Sequence, residues 1–258
     1  INTPRMLTCI SRPRRFGKSY GAQMLCAYYD QSTDSRELFQ GFQISDAESF
    51  WKHLNQYHVI YLDMSNLLGN VAPQELIGFI RDTVSEEIIS AFPNVSRGST
   101  FDQTLIRLVE ATGKKIIMII DEWDSPIRET PEIEEEYLLF LRTLFKGSGT
   151  TAKIFAAAYM KGILPIKKNG SQSAVSDFKE YTIMNPGEFT PYTGFTEDET
   201  KALCLKHGMD FGQMKEWYDG YEFEGYGSIY NPYSVMETVR SREYESHWKK
   251  TSAAENLT

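Results

Sequence analysis

Few of the residues that build disulfide scaffolds or metal clusters occur in this sequence. Its 258 residues include three cysteines, Cys9, Cys26 and Cys204, and four histidines. Cysteines so sparse and so scattered exclude a disulfide framework and a zinc cluster, and a reducing, cytoplasmic setting is the simpler expectation. His53, His58, His207 and His247 stand in no metal-ligand spacing with a cysteine pair and read as ordinary side chains. No apolar run reaches the roughly 18 residues of a membrane-spanning helix. The run after Arg5 is too short for a signal peptide, so no membrane partner is expected. Basic charge is also short. A formal net charge of −8 argues against a surface that coats nucleic acid, although Arg12, Arg14, Arg15 and Lys18 form a local patch against that average. Residue 1 is Ile, and the expectation is that the natural N-terminus lies upstream.

What is present suits a globular core, with 41% hydrophobic residues and an alternation of apolar runs with helical periodicity. Met6–Ile10, Val59–Asp63, Ile116–Asp121 and 152–159 read as strands, with a fifth at 180–184. The run Ile116-Ile117-Met118-Ile119-Ile120 is the most apolar, as expected of a central parallel strand covered on both faces. Helices are predicted over 19–30, 45–56, 73–91, 101–111 and 131–146. The fold class expected is α/β, a parallel sheet with flanking helices. Composition shifts after Pro186. Beyond it come short helices at 196–207, 211–217 and 232–240, the first opened by Thr196 with Glu199 three residues on. Between them lies the aromatic, glycine-rich stretch WYDGYEFEGYGSIYNPYSV. Its aromatic residues read most simply as a small core, with stacking on bases as the alternative. The expected division is 1–186 as the sheet domain and 187–258 as a small, mainly helical lid or winged-helix-like domain.

The stretch ISRPRRFGKSYG carries the first chemical signal. Gly17-Lys18-Ser19 ends like a phosphate-binding loop, G-x-x-x-x-G-K-[ST], but Arg12 stands where the first glycine belongs. The loop lies between a predicted strand and a predicted helix, where backbone N–H groups and the helix dipole favour an anion. Pro13 fixes its own φ and pushes Arg12 towards an extended conformation, a second way to set the turn. On this reading Arg12, Pro13, Arg14, Arg15, Phe16, Gly17, Lys18, Ser19 and Tyr20 bind the nucleotide phosphates. Lys18 neutralises the β- and γ-phosphates, and the Ser19 hydroxyl ligates Mg²⁺.

The second signal is IIMIIDEWD. An apolar strand ending in two acids places Asp121 in the Mg²⁺ shell, through water or by orienting Ser19, and Glu122 as the general base that polarises water. In open parallel sheets, ligands bind at such strand ends. Arg128 is a further candidate to reach the site, or else a solvated or ion-paired side chain. Lys161, at the end of the fourth strand, is a candidate to sense the γ-phosphate, or else a surface lysine. Asp63 lies on the rim of the same face or caps a helix.

RPRRFGKS, IIDEWDSPI, GILPIKKNGSQSAVSDF and WYDGYEF with IYNPYSV together resemble the predicted AAA-ATPase-like family of bacteria, from about Leu7 to Trp248. That family belongs to the ASCE branch of P-loop ATPases and often carries a PD-(D/E)XK nuclease-like domain at its C-terminus. An arginine-rich loop is normal in it. The resemblance implies Walker A roles for Gly17, Lys18 and Ser19 and Walker B roles for Asp121 and Glu122. Asp124, Ser125 and Pro126 match the stretch that follows. Where many members have Thr-Gly-Ile-Leu, this chain has Lys161-Gly162-Ile163-Leu164 and so lacks a hydroxyl there. The expected function is Mg²⁺-dependent ATP binding and hydrolysis. The alternatives are a nucleotide-gated binding module with little turnover and a scaffold whose loop has decayed. The chain is expected to be an excerpt of a longer protein. Nucleic acid, through a nuclease-like domain outside this sequence, and a second copy of the chain stay open as partners.

Overall fold

The computed structural model describes residues 6–146, 149–166, 175 and 177–247. They divide into two compact units. Residues 6–11 and 19–182 belong to the first, and residues 12–18 and 183–247 to the second. Among the described residues no helix is long and apolar enough to cross a membrane.

The first unit runs β1 (Leu7–Ser11), α1 (Lys18–Tyr29), α2 (Phe50–His53), β2 (His58–Asp63), α3 (Met64–Asn70), α4 (Leu76–Ala91), α5 (Phe101–Thr112) and β3 (Ile116–Asp121). It continues with α6 (Ser125–Glu129), α7 (Glu134–Phe145), α8 (Thr150–Ile154), β4 (Phe155–Gly162) and β5 (Lys179–Tyr181). The strands form one sheet in the order β2-β3-β4-β1-β5, and every neighbouring pair is parallel. This is the α/β parallel sheet with flanking helices expected from the sequence, consistent with a P-loop NTPase-like fold.

All six residues of β3 are buried, because its side chains alternate between two covered faces. Ile116, Met118 and Ile120 join α4, α5 and α7 in the main core, through Leu76, Ile80, Leu105 and Leu141. Ile117 and Ile119 face the other way, onto Ala22 and Leu25 of α1. Val59 of β2 and Ala157 and Tyr159 of β4 share that second face. Continuing the alternation, Tyr61, Asp121 and Lys161 lie at the ends of these strands on the face that α1 covers. Burying one such isoleucine contributes about 1.5–3 kcal/mol, so β3 anchors the sheet.

Several boundaries differ from the sequence reading. Residues 150–154 form α8, and β4 starts only at Phe155. A short run such as Ala-Lys-Ile-Phe-Ala suits either state until packing decides. Of 45–56 only Phe50–His53 is α-helical, after a 3₁₀ turn at Gln43–Asp46. β5 is shorter than expected, ending at Tyr181. Residues 147 and 148, just past the predicted helix over 131–146, all of KKNGSQSA and the chain beyond 247 lie outside the described residues.

In the second unit β6 (Phe195–Thr196), α9 (Glu197–His207), α10 (Phe211–Tyr218), β7 (Asp219–Phe223), β8 (Gly227–Tyr230) and α11 (Pro232–Ser241) follow one another. The three strands form an antiparallel sheet in the order β6-β8-β7. The aromatic, glycine-rich stretch is therefore a hairpin. Its turn uses Gly225 and Gly227 at φ +79° and +69°, the left-handed region that glycine enters without a steric cost. Cys204, Met214, Tyr218, Tyr230, Val235 and Val239 form this unit's core.

Candidate functional site

Strand order brings the ends of β1, β4 and β3 side by side. In register, Lys161 pairs with Ile10 on one side and with Asp121 on the other. The Lys161 side chain is fully buried. Its ammonium donates to Ser19 Oγ at 2.8 Å and forms an ion pair with Asp121 Oδ1. The second carboxylate oxygen of Asp121 accepts from the Tyr61 hydroxyl at 2.8 Å. Burial, followed by the hydrogen bond to Asp121, pushes the Tyr61 phenol well above its usual range, so it stays a donor at neutral pH. Ser19, near the start of α1, and Asp121, the last residue of β3, are thus joined through one lysine. Lys161 is not a surface residue.

The turn after β3 is held by a second set of contacts. The Trp123 amide donates to Lys161 O at 3.1 Å. Asp124, fully buried, accepts from the amides of Ile163 at 3.2 Å and Leu164 at 2.9 Å. Leu164 O in turn accepts from Ser11 Oγ at 2.9 Å. The end of β1 and the loops after β3 and β4 are stitched together by these bonds. Gly162 has no room for a side chain, since a Cβ there would lie 2.7 Å from Trp123 Cδ1.

Glu122 sits at φ +51°, a region that costs a residue with a long side chain about 1–3 kcal/mol. Its carboxylate is paired with Arg128 Nη2 at 3.1 Å, and Arg128 Nε holds Asp124 Oδ2 at 2.9 Å. Arg128 Nη1 lies 3.5 Å from Glu129. Arg128 is therefore an ion-paired residue of the α6 turn, tied to Glu122. Ser125 is buried and donates to Glu129 at 2.8 Å, while Pro126 takes an early position in α6. Asp63 caps α3, accepting from the Asn66 amide at 3.1 Å.

The loop 12–18 packs within the second unit. Arg12 is buried, and its Nε donates to Thr193 Oγ1 at 3.0 Å. Arg14 is exposed, and its carbonyl accepts from Asn231 Nδ2 at 3.5 Å. The Arg15 guanidinium lies 4.1 Å from the Tyr233 ring centroid. Phe16 is buried edge-on against Tyr221, 5.3 Å between centroids. Arg15 and Gly17 both have φ +73°, so the backbone winds through alternating left-handed positions, as in anion-binding nests. Lys18 Nζ donates to Arg12 O at 3.0 Å and Pro13 O at 2.8 Å. The Tyr20 side chain is exposed.

Ser19 and Asp121 supply hard oxygen donors of the kind Mg²⁺ takes. They fit a cation, and an ammonium stands between them. Among the described residues no group of three or more His, Cys, Asp and Glu gathers to hold a metal. Tyr61 was not legible as the partner of Asp121, nor Thr193 as the partner of Arg12. The only trace of Tyr61 in the sequence is its place two residues before the end of a strand.

A five-stranded parallel sheet flanked by helices is consistent with a P-loop NTPase-like fold. A family model described as Predicted AAA-ATPase matches residues 2–171, and the chain belongs to that family. It is also similar to a protein of Azotobacter chroococcum mcd 1, described as an uncharacterized protein in the vnfD 5′ region. The two are 25% identical over 250 residues, 94% of this chain and 46% of the other. The chain thus spans under half the length of that curated relative.

Proposed function

We propose that the chain is the ATP-binding and ATP-hydrolysing part of a longer protein. The observation that carries this is the meeting of Ser19 and Asp121, 102 positions apart in sequence, on a single buried cation at the strand ends. In this reading the loop amides and Lys18 receive the β- and γ-phosphates, and α1 adds its dipole. Mg²⁺ would be held by Ser19 and Asp121, where it neutralises phosphate charge. Tyr61 fixes one Asp121 oxygen and so orients the carboxylate. Glu122 takes a proton from the attacking water once Arg128 releases it.

A second reading is a nucleotide-gated binding module with little turnover. It is favoured by the ion pair that engages Glu122 with Arg128. Measuring ATP affinity and phosphate release in parallel separates the two. Under the ATPase reading, Glu122→Gln keeps affinity within about threefold and lowers turnover by about 10²-fold or more. Under the second, wild-type turnover is already near background and the change alters little. Absence of ATP binding, with Lys18→Ala indistinguishable from wild type, would refute both.

A further inference from the structure

We propose that Lys161 is a built-in competitor for the divalent cation of this site. The inference rests on the nucleotide reading above and concerns its regulation. Three observations carry it. Lys161 is fully buried, so its ammonium has no bulk solvent to turn to. That ammonium engages Ser19 Oγ and Asp121, the two side chains best suited to Mg²⁺. Its place is fixed by strand order, since β4 lies between β1 and β3 and residue 161 is in register with both Ile10 and Asp121.

A lysine here does part of what a metal does. It compensates the Asp121 carboxylate and fixes the Ser19 hydroxyl with a single positive charge. It supplies one positive charge where a divalent ion would supply two, and it donates hydrogen bonds where such an ion would accept oxygen lone pairs. Two states follow. With Lys161 in place, nucleotide binds without needing the divalent ion. With Lys161 withdrawn, Ser19 and Asp121 become free for Mg²⁺. Metal entry and lysine departure are then one event, and the ammonium must find another anion, for which the bound triphosphate is the nearest chemistry. The free energy of the Lys161–Asp121 pair opposes metal binding and so holds turnover down until the pair is broken.

The test is calorimetric titration of ATP into the full chain, in Mg²⁺ and in EDTA, for wild type and Lys161→Thr. Electron paramagnetic resonance of Mn²⁺ added to each protein–ATP mixture reports metal capture directly. The expected result is a wild-type affinity that differs by less than about threefold between the two buffers. Lys161→Thr should bind ATP about tenfold or more tightly with Mg²⁺ than with EDTA, and should immobilise Mn²⁺ that wild type leaves with free ATP. A wild-type protein that gains about tenfold from Mg²⁺ overturns the proposal, even if the threonine variant does not fold. A folded threonine variant with no metal dependence also overturns it. If neither protein binds ATP in either buffer, the nucleotide reading fails and this inference goes with it. Binding that is equally metal-dependent in both sinks the inference alone.

Discussion

Asp124 shows how much of this site depends on single buried atoms. Its carboxylate takes two backbone amides and one guanidinium, so no charge is left uncompensated. The neighbouring Gly162 leaves room for that carboxylate. A Cβ at 162 would fall 2.7 Å from Trp123 Cδ1 and closer still to Asp124 Oδ1, and Trp123 and Asp124 are 2% and 0% exposed, so neither can yield. Gly162→Ala is therefore expected to cost about 1–3 kcal/mol in urea denaturation. An unchanged midpoint would mean that the β3–β4 turn is looser than its hydrogen bonds imply. The individual acids and the loop lysine were legible, because motifs put a residue type at a spacing. The partner of each was not. That Asp121 pairs with Lys161 rather than with any nearer lysine follows from β4 lying between β1 and β3, and no local pattern states a strand order.

At the scale of elements, legibility followed the strength of the local signal. β3 reads from its unbroken apolar run. α9 reads from its capping box, with Thr196 Oγ1 accepting from the Glu199 amide at 3.2 Å and Glu199 accepting from the Thr196 amide at 2.9 Å. The β7–β8 hairpin was missed because its strands are short and its tyrosines and glycines suit a turn or a core as readily as a strand. β2 carries a pH-sensitive support at its first residue. His58 is buried, with Gln31 2.6 Å from Nδ1 and Thr112 2.9 Å from Nε2. Burial, then Lys114, lowers its pKa from 6.5, against a weaker pull from Asp30. His53 is lowered for the same first reason. Below about pH 6.5 the unfolded chain takes up protons that these native imidazoles refuse, so stability is present above that pH and lost as pH falls. The urea midpoint is expected to drop between about pH 7 and pH 5, and His58→Gln to flatten that slope if it folds. A slope identical in wild type and His58→Gln would assign the acid loss to other groups.

For the whole molecule, the informative fact is that loop residues 12–18 group with the C-terminal unit although they follow β1 directly. Arg12, Arg15 and Phe16 rest on Thr193, Tyr233 and Tyr221. A ligand that orders this loop must therefore also be felt by the elements it rests on. Hydrogen exchange with and without ATP is expected to slow in Asp219–Phe223, Gly227–Tyr230 and Pro232–Ser241 as well as at the start of α1. Slowing confined to α1 would mean that the nucleotide is held without these contacts.

The left-handed backbone at Glu122 has a consequence for anyone engineering this chain. Glycine adopts φ +51° without the penalty that glutamate carries there, and the partly exposed Arg128 pair offsets only about 0–1 kcal/mol. If Glu122 is the general base proposed above, directed evolution for heat tolerance alone would drift towards glycine at 122 and lose turnover, so any such library needs a turnover screen alongside the melting curve.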